Sequence, residues 1–178
     1  MEKSEAVSRM RAGDPEGFAE IVRQFQTAIV RYLYRLTGDE ELARDLAQDT
    51  FVQAYESLAR MRPDLSFKAW LYRIATNNAL QHHRRKALVS FIALDEGQRR
   101  NTGGDIADKV TERAAVHEAL LKVPQKLRVC MVLHIIDGFK HREIAEMLGI
   151  SEDAVRMRVA RGSEEFRKLY SASGGDGR

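Results

Sequence analysis

His141–Arg161, HREIAEMLGISEDAVRMRVAR, is the stretch on which the reading of the fold turns. Ile144, Ala145 and Leu148 recur at helical spacing and predict a short amphipathic helix. Gly149 breaks it, Ile150 can plug the gap between two helices, and Ser151 is a good N-cap for the next. In that second helix Val155, Val159 and Gly162 fall on one face. The opposite face carries Asp153, Met157, Ala160 and Arg161, with Arg156 and Arg158 on the flanks. Two short helices joined by a glycine turn, the second basic outside and apolar inside, read as a helix-turn-helix for the DNA major groove. The plainer alternative is an αα-hairpin with a solvated charged face. Small Ala145 at the close approach, the glycine turn and the outward arginines favour DNA. Glu152 and Asp153 suit a helix N-terminus but repel phosphates, so phosphate contacts fall to the arginines.

Working outward, 178 residues allow one or two small domains. A hydrophobic share of 44% is enough for real cores, and 31% charged residues suits a soluble protein. The net charge of only +3 excludes a uniformly basic nucleic-acid coat, so basic residues matter as patches. No charged-then-apolar leader opens the sequence, and no apolar run approaches the ~20 residues that span a bilayer. The single cysteine, Cys130, excludes an internal disulfide and fits a reducing compartment. A cytoplasmic protein without membrane insertion is expected.

Proline and glycine are scarce enough for the chain to read as nearly all helix. Asp14-Pro15 places an N-cap before a proline at the first helical position. Phe18, Ile21, Val22, Phe25, Ile29, Leu33 and Leu36 then supply a core stripe. Thr37-Gly38-Asp39 ends that helix and starts another over Glu40–Leu58. Within it, Asp45-Leu46-Ala47-Gln48-Asp49-Thr50-Phe51 mixes acids, an amide and an aromatic, closer to a partner-binding surface than to a charged wrapper. Arg60–Ser66 is a loop around Pro63, followed by a helix over Phe67–Arg85. Phe67, Trp70, Leu71, Ile74 and Ala75 line its inner face, while Lys68, Arg73, Asn77, Asn78, Gln81, His82, Arg84 and Arg85 offer donors and acceptors to bases and phosphates.

The helical pattern fails at Ala87, a helical fragment is expected at Ser90–Leu94, and Asp95–Asp108 has linker composition. This divides the chain into 1–90, a linker 91–112, a second domain 113–170 and a disordered tail 171–178. In the second half Val110–Leu121 and Leu127–Ile136 read as helices, the latter stopped by Asp137-Gly138. Cys130 and His134 lie four apart, yet the neighbours Val129, Met131, Val132 and Leu133 describe a buried helix. No metal site, no other cofactor and no catalytic thiol are expected there.

These pieces in this order resemble an extracytoplasmic-function (group IV) sigma factor of bacterial RNA polymerase. Gly13–Phe18 is similar to the family's opening, Asp45–Phe51 to its region 2.1–2.2 core-binding signature, Phe67–Asn77 to regions 2.3–2.4, and His141–Arg161 to region 4.2. The resemblance implies an all-α protein of two small helical domains on a flexible linker, with promoter DNA and polymerase core as partners and an anti-sigma factor as regulator. It implies that Asp45, Gln48, Asp49, Phe51 and Tyr55 meet the polymerase. It also implies that the loop Arg62–Ser66, with Asp64 inside it, receives a base flipped from the −10 element. Lys68, Asn77, Asn78, Gln81, His82, Arg84 and Arg85 would line the −10 strand or its phosphates. Arg156, Met157, Arg158, Ala160 and Arg161 would read or flank the −35 element. No chemistry would belong to this chain, because the polymerase makes the phosphodiester bonds.

Physically this division of labour is sensible. Reading duplex at −35 needs a helix in a groove, and melting at −10 needs a pocket that repays unstacking. Trp70-Leu71 stands where housekeeping sigma factors resemble a Trp-Trp pair, so closer promoter matches are expected. Gln81, His83, Asp153-Ala154 and Ser163 depart from the family pattern. Each mismatched base pair costs about 1–3 kcal/mol, so such changes can redefine the promoter. A helix-turn-helix regulator that never meets polymerase leaves Asp45–Phe51 and Phe67–Arg85 without a task. A nuclease using Asp45 and Asp49 lacks anything in sequence that brings His82 and His83 to them.

Overall fold

The computed structural model describes residues 7–9, 14–58, 61, 66–93 and 109–172, backbone only at 89–93 and 109–111. Every element among them is helical. Helix α1, Pro15–Thr37, begins as its sequence dictates: the Asp14 carboxylate accepts the Glu16 N–H, and proline occupies the first turn. It ends where Gly38 takes the left-handed conformation (φ 75°) and returns its N–H to the Tyr34 carbonyl. Asp39 then caps α2, Glu40–Ser57, by accepting the Leu42 N–H. Small Ala43, Ala47 and Ala54 on the buried face of α2 let it lie close against α1. Helix α3, Phe67–Ala93, closes a three-helix core around Ile21, Ile29, Leu33, Leu46, Trp70 and Leu71. Tyr32 and Thr76 share a buried hydroxyl–hydroxyl hydrogen bond of 2.7 Å in its interior.

Helix α3 is longer than its periodicity predicts. It runs past Arg85 and through Ala87 to Ala93. Loss of an apolar stripe ends burial, not helix, and no glycine or proline interrupts that stretch. The expected linker is therefore helical at both ends, up to Ala93 and from Lys109, and residues 94–108 lie outside the described residues.

The second half comprises α4, Lys109–Lys122; α5, Gln125–Met131; a π-helical turn, Val132–Ile136; α6, His141–Leu148; and α7, Glu152–Ala172. The continuous helix expected over Leu127–Ile136 widens halfway. Asp137 N–H reaches back five residues to the Val132 carbonyl at 3.1 Å, and Phe139 N–H reaches Leu133 at 2.9 Å. Gly138 (φ 75°) then turns the chain into α6. Helix α7 reaches Ala172, so Ser171 and Ala172 of the expected tail are helical and 173–178 lie outside the described residues.

The two halves pack directly. Across the seam Lys68 Nζ donates to the Asp137 carbonyl at 3.0 Å and Tyr72 Oη donates to Asp137 Oδ1 at 3.1 Å. Tyr72 also meets the Phe139 ring edge-on at 4.9 Å, and Tyr34 stacks on His117 at 4.2 Å.

Candidate functional site

The helix-turn-helix is assembled by its caps. The Glu143 carboxylate accepts the Lys140 N–H at 2.8 Å, Gly149 adopts φ 64°, and Ser151 Oγ accepts the Ala154 N–H at 3.1 Å. Val155 is fully buried, and Gly162 is pressed against α5 so closely that a methyl group there would sit 3.2 Å from the Leu127 carbonyl oxygen. This seats α7 on its scaffold and leaves Arg156, Met157, Ala160 and Arg161 exposed together. Arg156 is held by Asp153 at 2.9 Å and Glu152 at 3.6 Å. Arg158 is half-buried and hydrogen-bonds to the Cys130 thiol, whose pKa burial raises despite that arginine. The thiol is therefore neutral and inert at physiological pH.

On α3, Asn77, Gln81, Arg84 and Arg85 are exposed and His82 is half-buried. Asn77, Gln81 and Arg84 follow one another at three- and four-residue spacing, a single stripe of amides and a guanidinium. Asn78 is different: it is 7% exposed and donates its amide to Thr50 Oγ1 at 3.2 Å. Its polar group is spent inside the bundle, and its helical spacing alone gave no sign of that. Lys68 is exposed, but its ammonium sits 4.5 Å from the Phe139 ring centroid and bonds across the seam. Ser66 is exposed, whereas Arg62 and Asp64 lie outside the described residues. Arg73, read from the sequence as a donor to bases or phosphates, is half-buried. It joins Ser66, Trp70, Arg142, Glu146 and Met147 around a cleft of about 250 Å³ between α3 and α6.

The third face lies on α2. Asp45, Gln48, Asp49 and Tyr55 are exposed, and Tyr55, 56% exposed, is steadied edge-on by Phe18 at 4.9 Å. Phe51, expected on this surface, is 7% exposed and belongs to the core beneath it. Val52 takes the apolar position instead, 50% exposed and three or four residues from Asp49 and Gln48. Helical spacing from those two residues would have found it.

Among the described residues no group of three or more His, Cys, Asp or Glu side chains is placed to hold a metal ion. His134 Nδ1 pairs with the Phe139 carbonyl at 2.8 Å and its ring stacks on His141. No helix among the described residues is long and apolar enough to cross a membrane.

Comparison with known proteins matches residues 21–89 to sigma-70 region 2 and residues 113–165 to sigma-70 region 4. The ECF RNA polymerase sigma factor SigW of Bacillus subtilis is 33% identical over 175 residues, covering 91% of this chain and 93% of SigW. The chain belongs to the ECF sigma factors. CnrH, solved in complex with the cytosolic domain of CnrY, is 27% identical to this sigma factor, with a TM-score of 0.75 over 97% of this chain and 99% of CnrH. The fold also matches that of sigma factor RpoE from Bartonella quintana, solved with the anti-sigma factor NepR, at 19% identity and TM-score 0.71 over 86% and 96% of the two chains. The exposed face of α7 thus lies on region 4 of this sigma factor, and the α2 face and α3 stripe lie on its region 2.

Proposed function

We propose that this sigma factor joins RNA polymerase core through the exposed face of α2 and reads a promoter with two separate surfaces, α3 at −10 and α7 at −35. The observation that carries the reading is the division of exposed chemistry. The α2 face is acidic and amide-bearing around Val52 and Tyr55, suited to a protein partner; α3 and α7 present amides and guanidinium groups, suited to DNA.

Asp45, Gln48, Asp49, Val52 and Tyr55 contact polymerase, with Phe51 supporting them from the core. The loop 62–66 captures an unstacked base, and Asn77, Gln81, His82, Arg84 and Arg85 follow the opened strand, with Asn78 fixing α3 from behind. Arg156, Met157, Ala160 and Arg161 enter the −35 major groove, flanked by Arg158. The functional units are 1–90, 91–112, 113–170 and 171–178, the protein works in the cytoplasm, and the bond-making belongs to the polymerase. An anti-sigma factor holds it until a signal arrives.

The test is initiation by purified bacterial core polymerase with and without this protein on a promoter library, with transcript 5′ ends sequenced. New start sites sharing −35 and −10 elements are expected. Silence together with failure to co-elute with core would instead leave a helix-turn-helix regulator.

A further inference from the structure

The outward face of α7 carries one large apolar side chain. Met157 is 53% exposed and belongs neither to the core nor to the hydrophobic residues packed against it. A lone exposed methionine is ordinary on a protein surface. This one stands in the middle of the face proposed to enter DNA, with exposed Asp153, Ala160 and Arg161 at three- and four-residue spacing around it.

Its direction is set by the opposite side of the helix. Val155 is fully buried and Gly162 lies against Leu127, which holds α7 against rolling about its axis. The neighbouring cations are drawn away from Met157. Arg156 is tied to Asp153 and Glu152 at the start of the helix, and Arg158 turns back to the Cys130 thiol. Between these and Arg161, Met157 and Ala160 form an apolar strip that has no side-chain donor and only the weak thioether acceptor.

Base edges in the major groove are polar except at one group, the C5 methyl of thymine. A thioether pressed on any other edge displaces water from donors and acceptors and gives back at best a weak hydrogen bond. Against thymine it buries a methyl and leaves no polar group unpaired. The unbranched methionine chain adapts its rotamers to reach such a contact.

We infer that Met157 reads the C5 methyl of a thymine in the −35 element, with Ala160 covering the edge of the same contact; this rests on the promoter reading above and specifies a base within it. Cytosine at that position lacks the methyl, and a purine turns polar N7 and O6 or N6 atoms toward the thioether. The apolar pair thus discriminates at a base that the arginines, which favour guanine, do not read.

The experiment uses the full-length protein with purified core polymerase on a promoter recovered from the library. Each −35 thymine, on either strand, is replaced in turn by deoxyuridine, which keeps the pairing and the O4 acceptor and lacks only the methyl. At one position the half-saturating promoter concentration is expected to rise about fourfold, the factor that about 0.8 kcal/mol for one buried methyl represents. Met157→Gln keeps the length and helix propensity of the side chain and loses its apolar end. It should bind the thymine and deoxyuridine promoters equally. Wild type that tolerates deoxyuridine at every −35 position overturns the inference. So does an equal penalty in Met157→Gln, or a recovered −35 element with no thymine on either strand. Should Met157→Gln fail to fold or to initiate, Met157→Ala, which withdraws the contact, decides by the same comparison. Wild type that yields no start sites from the whole library refutes the promoter reading itself, and the methyl contact falls with it.

Discussion

Asn78 donates its side-chain amide to Thr50 Oγ1, and Thr50 donates onward to the Leu46 carbonyl at 2.6 Å. This buried chain ties α3 to α2, the two helices that carry the proposed −10 and polymerase faces. Asn78→Ala leaves Thr50 without a donor and is expected to cost about 1–3 kcal/mol. That lowers Tm by roughly 2–12 °C in a chain of this size. Its neighbour Asn77 is exposed, and Asn77→Ala is expected to leave Tm nearly unchanged while altering −10 selectivity. Thermal melting followed by circular dichroism separates them, and equal losses at both positions would refute the assignment.

Gly38 and Gly149 both require positive φ, at 75° and 64°. Alanine at Gly149 meets nothing within 4 Å, so only backbone strain opposes it, about 1–2 kcal/mol. Alanine at Gly38 meets the same strain and also runs into the Leu121 side chain across the seam. Both variants are expected to melt earlier, but only Gly38→Ala should enlarge the radius of gyration. Equal radii would show that the Gly38–Leu121 contact does not bear on how the halves sit.

Local signals made much of this structure legible. Asp14, Gly38, Asp39, Gly149 and Ser151 end and begin helices by chemistry confined to a few residues, and each performs the capping or turning its sequence suggests. The overrun of α3 was not legible because a stripe reports burial, and Lys86, Ala87 and Leu88 just beyond Arg85 are exposed. Nor does any residue type announce the π-turn; it is set by where Asp137 and Phe139 must land. Asn78 and Phe51 sit inward because neighbouring helices reach them, a fact that one helix's pattern cannot contain. The candidate surfaces were legible as helix faces, whereas the seam that covers part of one joins residues 65 or more apart in sequence.

Two titrating groups in the seam respond to pH in opposite directions. Burial lowers the pKa of His117 below its ordinary 6.5, with the Tyr34 carbonyl opposing and Arg128 and Arg35 adding to the effect. The packed form then holds fewer protons than the open form just below pH 6.5, so acidification through that window weakens packing. Burial raises the Asp137 carboxyl pKa against the opposing Tyr72 hydrogen bond, Arg35 and Lys68. The packed form holds more protons there, and acidification through that raised value tightens packing. His117→Phe keeps the ring and removes the first response; Asp137→Asn keeps an acceptor for Tyr72 and removes the second. As pH falls from about 7.5, small-angle scattering should show Asp137→Asn expanding once pH passes below 6.5, and His117→Phe contracting on the way down to the ordinary carboxyl value of 3.8. Identical trends in the two variants would exclude this pair of causes.

The arginines of α7 should divide by their surroundings. Arg161 is exposed with no ion pair to Asp or Glu among the described residues, so Arg161→Ala is expected to cost about 1–3 kcal/mol on the preferred −35 sequence and relax selectivity at one position. Arg158 supports α7 against Cys130, so Arg158→Ala should lower Tm while keeping the base preference. Arg156 lies between these cases because Asp153 and Glu152 hold it. Those carboxylates fix its direction but also repel the phosphates it approaches. Asp153→Asn should therefore strengthen duplex binding at low salt, with the gain shrinking as salt screens the removed charge, and should broaden base preference as Arg156 loosens. Start-site sequencing across the promoter library at two salt concentrations measures both effects. Tighter binding with preference unchanged would mean that Asp153 acts only as a charge and does not aim Arg156.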